Sequence, residues 1–119
     1  MTSQGSPYGR FRRAVDHGNA LQALSAAAEL RTVALSDALE LVLLLARKDS
    51  GQFRRAVLRW HARYCHELRV HDPCEAQATL ALLFMLAGPS ATAAAQALAA
   101  LLEARTFGQA AEILTRWID

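Results

Sequence analysis

A chain of 119 residues with 53% apolar side chains has the length of one domain, and a domain of that size buries roughly two-thirds of its unfolded surface without a disulfide or metal staple. Only 20% of the residues are charged and the net charge is +2, which excludes a disordered chain and a highly charged tail. Against 25 alanines and 19 leucines stand only 7 valines and isoleucines together, so strand formers are scarce and the fold class is all-α.

In chain order, Met1 to Gly9 is polar and turn-rich and has no apolar run behind a basic start; residues 1–9 are expected to form a flexible tail, without a secretory signal, ahead of a single helical domain over 10–119. Tyr8 or Gly9 to His17 forms the first helix, with Phe11, Ala14 and Val15 on one face and Gly18 placed to end it in the left-handed conformation. Asn19 and Gln22 suit a capping box for a second helix running to about Leu30. Asp37 with Glu40 is expected to open the third helix and Ser50 the fourth. Asp72-Pro73 opens the fifth, because proline at the first helical position loses no hydrogen bond. Gly88-Pro89 stops that helix, Ser90 starts an alanine-rich sixth, and Thr106 with Gln109 caps a seventh. The expected architecture is about seven short antiparallel helices, in a compact helical-hairpin array or an irregular bundle.

The helices differ in coating. Residues 37–47 and 78–87 are apolar on nearly every side and are expected to be central. Phe53, Ala56, Val57, Trp60, Tyr64 and Leu68 recur at spacings of three and four, so the fourth helix is a flank with one polar face. The sixth helix offers Ala94, Ala97, Leu98, Leu101 and Leu102.

Phe11-Arg12-Arg13-Ala14-Val15 recurs as Phe53-Arg54-Arg55-Ala56-Val57, with Phe107-Gly108-Gln109-Ala110-Ala111 as a looser third copy. On these residues the chain over 10–119 resembles the α-helical repeat proteins, such as tetratricopeptide-like or HEAT-like modules. The resemblance implies a groove that binds other proteins and assigns no residue-level site.

Charge is uneven: residues 10–69 carry eleven basic and six acidic groups, whereas 70–119 carry two and five. Arg55, Arg59 and Arg63 lie four apart on the fourth helix with Arg54 and His66 beside them, a stripe of guanidinium groups suited to carboxylates or phosphates. The plain alternative is a solvated face on which Glu67 pairs with Arg63. His61, Cys65, His71 and Cys74 are candidate metal ligands by residue type, weighed against a reading in which His61 and Cys65 simply edge the apolar face. Cys74, at the second position of a helix, sits where a thiolate is favoured, although Asp72 and Glu75 oppose ionisation. No phosphate-cradling glycine loop, His-Glu-x-x-His or Gly-x-Ser-x-Gly is present, so neither catalysis nor a cofactor is expected. Leu114, Trp117 and Ile113 offer a candidate self-association face on the last helix.

The apolar runs Leu41–Ala46 and Leu80–Ala87 fall short of the roughly 20 residues that cross a bilayer, so no membrane partner is expected. Two cysteines suggest reduced thiols in a cytoplasm, and 12 arginines against one lysine suggest a GC-rich bacterial genome. The function expected from the sequence is non-catalytic recognition of a partner's peptide or helix in a groove, with Arg54, Arg55, Arg59 and Arg63 favouring an acidic partner. Nucleic-acid binding through the same arginines is the first alternative, and a metal or thiol site is the second.

Overall fold

The computed structural model describes residues 6–48 and 51–119. They form seven helices: α1 (Pro7–Asp16), α2 (Ala20–Glu29), α3 (Leu35–Arg47), α4 (Phe53–Glu67), α5 (Pro73–Met85), α6 (Ala91–Ala104) and α7 (Gly108–Trp117). No strand occurs among the described residues. None of these helices is long and apolar enough to cross a membrane.

Capping chemistry sets several boundaries. Ser6 accepts from the Gly9 N–H and Pro7 occupies the first turn, so α1 begins inside the segment expected to be a tail. Asn19 accepts from the Gln22 N–H at 3.1 Å, and Asp72 accepts from the Cys74 N–H ahead of Pro73. Both match the expected caps. Helices α1, α4 and α6 end alike, with a residue in left-handed conformation followed by an N–H that reaches back five residues: Asn19 to Ala14, Val70 to Cys65 and Phe107 to Leu102. At the first of these the residue is Gly18, with φ +70°, as expected. At the other two it is Arg69 and Thr106, with φ 55° and 58°, a conformation that disfavours residues bearing a Cβ.

Two expected starts differ. Helix α3 begins at Leu35, not Asp37, and has no side-chain cap. Asp37 and Glu40 instead receive Arg12 of α1, at 3.3 and 2.7 Å. Helix α7 follows Phe107 without a side-chain cap, and the Thr106 hydroxyl bonds to the Arg105 carbonyl. Ser50 lies outside the described residues.

The core has two parts. The larger contains Leu39, Val42 and Leu45 of α3, Val57, Trp60 and Tyr64 of α4, Leu83 of α5, Leu98 and Leu102 of α6, and Leu114 of α7. Helices α3 to α7 pack in sequence, and α7 returns onto α3, closing the set. The smaller part, Phe11, Ala14, Ala23 and Ala26, lies inside the α1–α2 hairpin, which docks on α3 through Leu41 and Leu44. Helix α3 is therefore central, as its all-round apolar coating predicts. Residues 78–87 are not: only Thr79, Leu83 and Leu86 are buried, while Ala78, Ala81 and Met85 face outward. The alanines there favour helix without requiring burial. Helix α4 buries one face, as expected. In α6, Ala94, Leu98 and Leu102 are buried, Leu101 is half-buried and Ala97 is exposed.

The phenylalanine echo has no common register in the helices. Phe11 is the fifth residue of α1, Phe53 is the first of α4, and Phe107 precedes α7.

Candidate recognition groove

Among the other helices, only α3 has Cα atoms within 8 Å of the α1–α2 hairpin. No Cα of α2 comes within 8 Å of one in α4, so the two helices flank α3 and leave a trough between them. Ala38 and Leu41 of α3 form its floor, Leu24, Ala27 and Ala28 of α2 form one wall, and Ala56, Arg59 and Arg63 of α4 form the other. The trough deepens to about 480 Å³ at the end lined by Leu30, Arg31, Val33 and Glu67. It narrows to about 100 Å³ at the end lined by Gln52, Arg55 and Trp60.

The rotation of α4 about its axis points the arginines here. Val57, Trp60 and Tyr64 are buried against α3 and α5, and the Trp60 indole N–H donates to the Leu35 carbonyl at 2.8 Å. Trp60 stacks on Tyr64 with centroids 5.3 Å apart and planes 11° apart. With that face fixed inward, Arg55, Arg59 and Arg63, at one-turn spacing, project along the α4 wall. Arg63 holds Glu67 at 2.8 Å, the pairing expected for a solvated face. Arg55 and Arg59 are exposed and make no ion pair among the described residues. Arg31, at the end of the α2 wall, is also exposed. Arg54 lies apart from this stripe: its guanidinium sits over the Phe84 ring, 5.4 Å from the centroid.

The wall that sequence reasoning missed is α2. Its Ala23 and Ala26 pack against Phe11, while Leu24, Ala27 and Ala28 line the groove and Leu21 is 81% exposed. The signal was available in the residues, since a ten-residue helix with two apolar faces has one more than its hairpin partner can cover.

The cysteine and histidine residues separate into unrelated settings. His61 Nε2 bonds to the Ala76 carbonyl at 2.8 Å and lies 3.6 Å from Cys65 Sγ. His71 and Cys74 are exposed, and among the described residues no three His, Cys, Asp or Glu side chains are close enough to hold a metal ion. Burial pushes the Cys65 thiol up, and the nearby Glu75 charge adds to the effect, so a thiolate there is disfavoured.

Glu75 belongs to a structural clasp. Arg105 grips it with two bonds of 2.6 Å and donates a third to the Leu68 carbonyl at 3.2 Å, tying the start of α5 to the ends of α4 and α6. The guanidinium holds the Glu75 carboxyl below the usual carboxylate range. Burial raises the pKa of the adjacent Tyr64.

The proposed self-association face on α7 is used within the monomer. Ile113 and Leu114 are buried in the larger core, and half-buried Trp117 lies under Arg47, whose guanidinium is 4.5 Å from the ring centroid and donates to the Trp117 carbonyl.

The chain matches no known protein family, no curated protein and no solved structure.

Proposed function

We propose that this protein is a non-catalytic recognition module that holds a segment of a partner protein in the groove between α2 and α4. One observation carries the reading: two adjoining, mostly apolar pockets that share Leu24, Ala38 and Leu41 lie over the central helix between α2 and α4, whose Cα atoms nowhere come within 8 Å of each other. Concave, mostly apolar surfaces with a few charged groups at their rim are the usual form of a binding site. Arg55, Arg59 and Arg63 occupy that rim, which favours an acidic segment. The His61–Cys65 pair faces α5, and among the described residues no third His, Cys, Asp or Glu joins it.

Nucleic-acid binding through the same arginines is the second reading, favoured by the presence of Arg31 and Arg59 on opposite walls. The apolar floor argues against it, because a phosphodiester backbone leaves Leu24, Ala38 and Leu41 without apolar cover. Two free cysteines, Cys65 and Cys74, accord with a reducing cytoplasm.

A photo-crosslinking residue at the exposed rim position Ala28 tests the reading in host cells. The expected result is one discrete protein adduct that disappears when Ala38→Trp fills the floor. Nucleic acid in the adduct, or a protein adduct insensitive to Ala38→Trp, contradicts it.

A further inference from the structure

We propose that the groove takes an amphipathic α-helix of a different protein, with an apolar edge seated on Leu24, Ala38 and Leu41 and carboxylates one turn apart along the edge facing α4. This rests on the groove being the binding site and goes further by assigning the conformation and the charge pattern of its occupant.

The conformation follows from the backbone chemistry of the walls. The parts of the walls and floor formed by α2, α3 and α4 are helices whose peptide groups bond within their own turns, only the deep end at residues 30–34 is a non-helical connection, and no sheet edge exists among the described residues. An extended segment would bring unpaired N–H and C=O groups onto an apolar floor, where each one left unsatisfied is costly. A helix satisfies these groups internally and presents only side chains. The gripped length is about two turns: Arg55 to Arg63 covers about 12 Å along α4, and Leu24 to Ala28 covers about 6 Å along α2 before the chain leaves the helix at Leu30.

The charge pattern follows from the ladder on α4. Arginines at every fourth residue stand about 6 Å apart along the helix axis, the same rise that separates carboxylates at i and i+4 on an adjacent helix. Arg55 and Arg59 have no ion pair of their own among the described residues. A guanidinium in that position accepts a carboxylate bidentately. Arg63 differs because Glu67 already occupies it. A carboxylate arriving opposite Arg63 competes with Glu67, so Glu67 acts as a built-in rival to the occupant and sets how strongly the deep end of the groove selects for acid.

The test uses the full-length protein and fluorescence anisotropy with three labelled, helix-stapled peptides of fourteen residues. All three share one leucine edge, and the flanking positions at one-turn spacing are Glu, Gln or Lys. The Glu helix should bind about tenfold tighter than the Gln helix, with the difference shrinking as salt rises, and the Lys helix should be weakest. Arg55→Gln with Arg59→Gln should erase the Glu-over-Gln preference while leaving the circular dichroism unchanged, and Glu67→Gln should tighten the Glu helix alone. Equal binding of the Glu and Gln helices, both abolished by Ala38→Trp, overturns the assigned charge pattern while the groove reading stands. Binding of none of the helices, or binding that ignores Ala38→Trp, removes the groove reading and this proposal with it. Displacement of the Glu helix by an equal concentration of single-stranded oligonucleotide overturns the proposal in favour of nucleic acid.

Discussion

The Trp60 indole N–H donates to the carbonyl of Leu35 at 2.8 Å, joining the middle of α4 to the first turn of α3. This bond lies under the α2/α4 groove and fixes which side of α4 faces it. Trp60 is 2% exposed, so replacing it with phenylalanine removes a buried hydrogen bond and leaves a void. Trp60→Phe should lower stability by about 2 to 3 kcal/mol. Chemical denaturation monitored by far-ultraviolet circular dichroism gives the value, and a loss below about 0.5 kcal/mol would mean that the indole does not anchor α4.

Arg12 makes the ion pairs that hold the α1–α2 hairpin to α3, bonding Asp37 and Glu40 with its side chain only 28% exposed. The hairpin has its own small core, and its backbone comes close to no helix but α3. Arg12→Gln should therefore loosen one part of the molecule more than the rest. The expected global loss is about 1 kcal/mol, with faster hydrogen exchange confined to α1 and α2. Uniformly faster exchange across α4 to α7 would show that the hairpin and the closed set unfold as one unit.

Much of the helix layout was legible from local chemistry, because Gly18, Asn19 and the Asp72-Pro73 pair act on backbone groups within a few residues of themselves. The misreadings came from residues whose role is set at long range. Asp37 and Glu40 have the composition of a helix start, yet their carboxylates are oriented by Arg12, 25 and 28 residues earlier. Alanines 78 and 81 look like core in an apolar run but tolerate solvent, so apolar count alone overstated the burial of α5. The arginine ladder was visible from its spacing. On α2 a second apolar face was visible too, but not that it stands opposite α4, because the distance between α2 and α4 depends on how the hairpin docks on α3.

The Arg105–Glu75 clasp gives stability a definite pH dependence. Folding lowers the Glu75 pKa, so the unfolded chain binds a proton at this position more readily than the folded one. The contribution is complete above the unfolded value of about 4.3 and is lost as pH falls through the folded value. Glu75→Gln should destabilise the protein at neutral pH and reduce the loss of stability between about pH 5 and pH 3. Melting temperatures across that range test this; an acid limb as steep as that of the unaltered protein would assign it to other carboxylates.

The two cysteines should react at very different rates. Cys74 is exposed, whereas Cys65 is half-buried beside His61 and its thiol is pushed up by burial. A thiol titration of the native protein at neutral pH should show one fast equivalent, abolished by Cys74→Ser, and a second that appears at full rate only in denaturant. A fast reaction that persists in Cys74→Ser would identify Cys65 as the reactive thiol and revive a thiol function at the α4–α5 contact.

We propose that this protein engages its partner on the open face between α2 and α4. A backbone amide NMR titration of the intact chain with the stapled Glu-bearing helix tests this without any substitution. Saturable shifts are expected on residues 24–33, on Ala38 and Leu41, and on residues 55–67, with α5 and α6 unaffected. Shifts centred on α5, α6 or the Trp117 end, or a spectrum unchanged at millimolar peptide, would contradict it.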